Sequence, residues 1–92
     1  MKVDVSPEAE NDLDEMDNSL YVKFKNHLKS LGDNPYQRHL EHGLPYYVKD
    51  FNKKKYKIVY TIENDTIYVE RCFDDHKKYD RWLELIRRKM NK

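Results

Sequence analysis

Polar and apolar residues alternate through Lys2-Val3-Asp4-Val5, which predicts a short strand. Ser6-Pro7 then offers a hydroxyl that can cap a helix and a proline suited to its first position. Glu8 and Glu10 fall where the helix dipole favours acids. Ala9, Leu13, Met16 and Leu20 recur at helical spacing, with a break or recap expected at Asp17-Asn18-Ser19. Leu20, Phe24, Leu28 and Leu31 continue the stripe as a second helix, which Gly32 is expected to close through its backbone freedom before Asp33-Asn34-Pro35 turns the chain. The pair reads as a helical hairpin. Tyr36 to Pro45 has no period and reads as a loop crossing to the sheet.

The period becomes two in Tyr46–Phe51 and again in Tyr56–Ile62, where Tyr56, Ile58, Tyr60 and Ile62 share one side and Lys55, Lys57, Val59 and Thr61 the other. Glu63-Asn64-Asp65-Thr66 suits a tight hairpin with Asn64-Asp65 at its tip, so Ile67–Phe73 returns antiparallel. A two-residue loop sets Lys57 opposite Cys72 and Ile58 opposite Arg71. Asp74 or Asp75 caps a last helix with Tyr79, Trp82, Leu83, Ile86 and Met90 on its apolar side and bases opposite. The expected architecture is α+β: strand, helix, helix, three antiparallel strands, helix, with the helices on one face of a small twisted sheet. Residues 1–92 make a single domain, since a chain this size buries only about 60–65% of its unfolded surface.

Composition narrows the setting. Cys72 is the sole cysteine and no apolar run approaches the roughly 20 residues of a membrane span, so a reducing, cytoplasmic environment without membrane insertion is expected. No signal peptide is evident at the start. The net charge of +1 conceals an asymmetry: residues 1–17 carry one base and seven acids, net −6, and the remainder is +7. Either an acidic and a basic functional face or two solvated helix surfaces accounts for it.

Four lysines in five residues (Lys53, Lys54, Lys55, Lys57) precede the strongest strand, and His76-Lys77-Lys78-Tyr79 opens the last helix. Metal-independent RNA cleavage needs a general acid and base, fixed positive charge on the phosphate and a surface for the base. His76 fits the first role, and Lys57 and Arg71 the second, each such contact commonly contributing roughly 3–4 kcal/mol. Tyr79 can stack on a base or orient the phosphate, while Lys53, Lys54, Lys55, Lys77 and Lys78 attract RNA. Lys57, Arg71 and His76 should then converge on one phosphate-sized hollow. Each has a plainer reading: His76 as an exposed first-turn residue, Tyr79 as core, Lys53–Lys55 as a solvated turn, and Arg71 as an ion-pair member on the Ile67, Val69, Phe73 face. His39-x-x-His42 lacks a helical context and further ligands, so no metal site is expected there; Cys72 should pack rather than react, and no cofactor is implied.

The order of elements, with Val5-Ser6-Pro7-Glu8-Ala9, Leu28-Lys29-Ser30-Leu31, Asn34-Pro35, Tyr56-Lys57-Ile58-Val59-Tyr60, Arg71 and Tyr79, resembles the RelE/ParE superfamily of toxins from toxin–antitoxin pairs. The RelE branch implies a ribosome-dependent mRNA endoribonuclease held in check by a cognate antitoxin. That resemblance sets Lys57 where relatives often have arginine, makes Lys49 the nearest match to a lysine of the preceding strand, as base or clamp, and aligns Arg71 with a basic residue of the last strand. Asp74 and Asp75 stand where many relatives have a histidine or arginine, leaving His76 as the substitute. The ParE branch implies instead a non-enzymatic inhibitor of DNA gyrase. An inert RNA- or protein-binding module of the same fold is the third alternative.

Overall fold

The computed structural model describes residues 1–35, 38–39 and 44–90. Among them lie β1 (Lys2–Val5), α1 (Pro7–Asp14), α2 (Asn18–Leu31), β2 (Arg38–His39), β3 (Tyr47–Phe51), β4 (Tyr56–Glu63), β5 (Thr66–Phe73) and α3 (His76–Met90). One mixed sheet runs β1-β5-β4-β3-β2, with β1 parallel to β5 and the remaining pairs antiparallel. The α+β order is as the pattern predicts. The short β2 is an addition, pairing Arg38 with Val48 and His39 with Tyr47 inside the stretch read as loop. The rest of that stretch before Leu44, including His42, lies outside the described residues.

Local chemistry accounts for the helix ends. Ser6 Oγ accepts from the Ala9 amide at 3.1 Å and donates to the Glu70 carbonyl at 3.0 Å, so one hydroxyl caps α1 and ties it to β5. Asp17 recaps the chain into α2 by accepting from the Leu20 amide at 2.8 Å. Gly32 closes α2 for a different reason from the one its backbone freedom suggests. Its φ of −60° is ordinary, but a Cβ there would meet the Met1 carbonyl oxygen at 3.1 Å.

The helical hairpin packs on one face of the sheet, as expected, while α3 covers the other, so the helices do not all share one face. Ala9, Leu13, Phe24, Leu28 and Leu31 of the α1–α2 hairpin pack with Ile58, Tyr60, Ile67, Val69 and Cys72. On the opposite face Tyr79 and Leu83 of α3 close over Val48, Val59 and Phe73. Lys57, Ile58, Val59 and Tyr60 are consecutively buried because β4 is the central strand between these two cores. Tyr60 satisfies its buried hydroxyl by donating to the Pro35 carbonyl at 2.7 Å.

The Asn64-Asp65 tip has φ of 50° and 60°, the mirror-image turn that suits a twisted two-residue hairpin. Its register holds from Glu63↔Thr66 to Tyr60↔Val69, then slips: Val59 pairs with Arg71, Ile58 with Cys72 and Lys57 with Phe73. The expected Lys57–Cys72 and Ile58–Arg71 pairs are therefore corrected by a bulge at Glu70. One extra residue exchanges faces. Cys72 takes the hairpin side, and Arg71 leaves the face of Ile67 and Val69 to share that of Val59 and Phe73.

Among the described residues no helix is long and apolar enough to cross a membrane.

Candidate functional site

The bulge and the two-sided sheet divide the cations into separate groups. Lys57 points to the α3 face from β4 and is only 4% exposed. Its ammonium donates to Asp50 Oδ1 at 2.6 Å and to the Lys54 carbonyl at 3.2 Å, and lies 4.9 Å from the Tyr79 ring centroid. Asp50 is its direct cross-strand neighbour. A buried ammonium needs such compensation, here from a carboxylate, a carbonyl and a ring face. Tyr79 is itself buried and packs edge-on against Phe73.

His76 begins α3 beside this group. Its ring centroid is 6.1 Å from that of Tyr79, while Nε2 lies 3.6 Å from Asp80 Oδ2 and the side chain is 65% exposed. Asp75, just before it, accepts from the Lys77 amide at 2.7 Å and so caps the helix. Lys53, Lys54 and Lys55 are exposed on the adjoining β3–β4 turn, where positive φ at Asn52, Lys53 and Lys54 curls the backbone so that the Lys54 carbonyl meets Lys57. Lys77 is also exposed. Lys57, Tyr79, His76 and this lysine fringe thus occupy one end of the sheet.

Arg71 does not join them. Its Nε and Nη2 donate to Asp12 Oδ2 and Oδ1 at 2.7 and 2.9 Å, and the Cys72 amide donates to the same Oδ2 at 3.0 Å. This bond to Asp12 raises the Arg71 pKa, against an opposing effect of partial burial. β1 pairs with β5 only as far as Val69, so Asp12 of α1 takes the edge position that a longer β1 would have filled. Arg71 lines a hollow of about 250 Å³ with Asp12, Glu15, Asp74, Lys78, Arg81 and Trp82, among others; neither Lys57 nor His76 lines it. The expected convergence of all three on one hollow is therefore corrected, because Asp12 anchors the guanidinium toward α1. Lys78 is bonded to Asp74 at 3.2 Å.

Lys49 faces the other way. It neighbours Asp50 on β3 and so projects to the hairpin side, where its ammonium donates to Ser30 Oγ and partial burial lowers its pKa. It adjoins His27, whose pKa is lowered by burial and then by the Lys49 charge, and whose ring stacks on Phe51 at 3.8 Å. The sheet separates Lys49 from Lys57. Cys72 is buried, and desolvation, then the Asp12 charge, push its thiol up to about 12.

Two carboxylates were not singled out from sequence. Asp50 could have been found by pairing β3 with β4 across the lysine turn. Asp12 carried no such signal, since its partner is 59 residues away.

No protein-family model matches the chain, and no curated protein matches it significantly. Solved structures do resemble it. Isolated Escherichia coli RelE toxin superposes with a TM-score of 0.68 at 15% identity, covering 92% of this chain and 97% of RelE. The Staphylococcus aureus YoeB dimer gives 0.61 at 24% identity, covering 78% and 93%. E. coli RelE within the intact RelBE toxin–antitoxin complex gives 0.66 at 15%, covering 77% and 92%. The chain therefore has the fold of the RelE and YoeB toxins, the RelE/ParE-like fold.

Proposed function

We propose that this protein is the toxin of a toxin–antitoxin pair and cleaves messenger RNA at the ribosome without a metal. The observation that carries the reading is the grouping of Lys57, Tyr79 and His76 beside an exposed lysine-rich turn, on a fold shared with RelE and YoeB. Lys53, Lys54, Lys55 and Lys77 attract the phosphate backbone, and His76, exposed at the start of α3, serves as general acid or base. Lys57 stabilises the phosphorane charge once the substrate phosphate draws it from Asp50. Tyr79 orients the phosphate or stacks on a base as the first turn of α3 shifts. Arg71 has a positioning role, tying α1 to β5, with Lys78 at the rim of its hollow. Lys49 acts through the opposite face by holding α2 to β3. A cognate antitoxin is the expected partner, in keeping with the complexed state of the RelE neighbour.

A second reading rests on a specific feature. Lys57 and Arg71 are each neutralised by a carboxylate, Asp50 and Asp12. That pattern suits a toxin that binds its target without chemistry, as a gyrase inhibitor does. Purified protein added to a translating extract and to a gyrase supercoiling assay separates the two. Message cleavage that disappears with His76→Ala supports the nuclease; lost supercoiling with intact message supports the inhibitor.

A further inference from the structure

A second hollow, about 340 Å³, lies beyond the one around Arg71 and is lined by Glu8, Tyr46, Glu70, Trp82, Ile86 and Lys89, among others. The two share Arg71, Trp82 and Leu85, so they form one trough between α1 and α3 over the bulged end of β5. Its walls carry opposite charge. Glu8, Asp12 and Glu15, at helical spacing from the first residues of α1 to the residue that caps its end, make one side. Lys78, Arg81 and Lys89 of α3 make the other.

Asp12 is engaged by Arg71 and Lys78 by Asp74, whereas Glu8, Glu15, Arg81 and Lys89 make no ion pair among the described residues. Between the walls runs an apolar strip, with Leu85 55% exposed and Trp82 and Ile86 half-buried. Strand addition is closed off at the floor. Ser6 takes up the Val69 and Glu70 carbonyls, and Asp12 the Cys72 amide. An occupant must bind through side chains.

We infer that this trough is a docking site for an amphipathic helical segment of a protein partner, apolar in its centre, basic along the edge facing α1 and acidic along the edge facing α3. From Lys78 to Lys89 the α3 wall measures about 16 Å at the rise of an α-helix, the length of about three turns of a partner helix. Nucleic acid is disfavoured because phosphates have one sign and would meet the unpaired carboxylates of Glu8 and Glu15. The apolar strip adds burial that a phosphate backbone cannot use. The site is distinct from the Lys57, Tyr79 and His76 group and stands whether or not that group cleaves RNA.

Trp82 is the only tryptophan and lines both hollows, so its emission reports occupancy. The full chain is titrated with a synthetic helical peptide having leucines on one face, lysines on one flank and glutamates on the other. A scrambled peptide of the same composition and an oligouridine serve as comparisons, all at near-physiological salt. The expected result is a saturable Trp82 change with the patterned peptide alone, weakened about tenfold or more by Leu85→Glu and by Glu15→Lys, both exposed positions that leave the fold intact. An equal response to the scrambled peptide or the RNA, no saturable response, or affinity indifferent to both substitutions would overturn the proposal. So would Trp82 emission that changes with protein concentration alone and is abolished by Leu85→Glu, since a second copy would then fill the trough.

Discussion

Replacing Asp12 with alanine removes three acceptor contacts at once: Arg71 Nε at 2.7 Å, Arg71 Nη2 at 2.9 Å and the Cys72 amide at 3.0 Å. The amide belongs to a buried residue with no β1 neighbour to replace the lost bond, and a buried donor left unpaired costs about 1–3 kcal/mol. The Arg71 side chain is 33% exposed, so water recovers part of its loss and the ion pair adds only about 1 kcal/mol. The sum is about 2–4 kcal/mol. A 92-residue domain at 0.05–0.15 kcal/mol per residue holds roughly 5–14 kcal/mol in all. Urea unfolding followed by Trp82 emission should therefore show the midpoint moving down strongly with an unchanged slope. Asp12→Asn, which keeps one acceptor, should lose about half as much. A loss below about 1 kcal/mol for Asp12→Ala would refute the idea that this carboxylate completes the edge of β5.

Further outcomes follow from the paired and buried groups. Asp50→Asn strands the Lys57 ammonium, whose side chain is 5% exposed, and should cost about 3 kcal/mol in denaturant unfolding; adding Lys57→Met should restore most of it. Burial, and then the charge of Glu8, raise the Glu70 pKa, so its favourable contribution is present below the unfolded carboxylate value and lost as pH rises through the folded one. Glu70→Gln should accordingly raise Tm at pH 7, with the gain shrinking toward zero on acidification through the carboxylate range. The Cys72 thiol, pushed up to about 12, should resist alkylation in the native protein at pH 8 and react promptly in denaturant. Alkylation as fast as that of a free thiol would contradict its burial.

Features decided within a few residues were legible in the sequence. Ser6 and Asp17 cap helices where short side-chain oxygens precede apolar stripes, and Asn64-Asp65 turns the hairpin because these residues tolerate positive φ. Alternation through Tyr56–Ile62 identified the central strand, and Tyr79 lies in the core as its stripe with Leu83 allowed. What escaped depends on distant chain. Nothing local announces the bulge at Glu70, yet that one residue moves Arg71 and Cys72 to exchanged faces. The second core was hidden because Val48, Val59 and Phe73 come from three strands and become a surface only when paired. The lysines drew attention as free charge, whereas burial selects Lys57 for pairing with Asp50 across β3 and leaves Lys53–Lys55 in solvent.

The most direct test of the Lys57, Tyr79 and His76 group is the rate of cleavage of a ribosome-bound message by purified protein, measured from pH 5.5 to 8.5 for the native chain and for His76→Ala. The rate should depend on pH and fall by about 10²-fold or more on substitution, with that pH response gone. Cleavage that keeps its rate and pH profile without His76, or no cleavage at any pH, would contradict it.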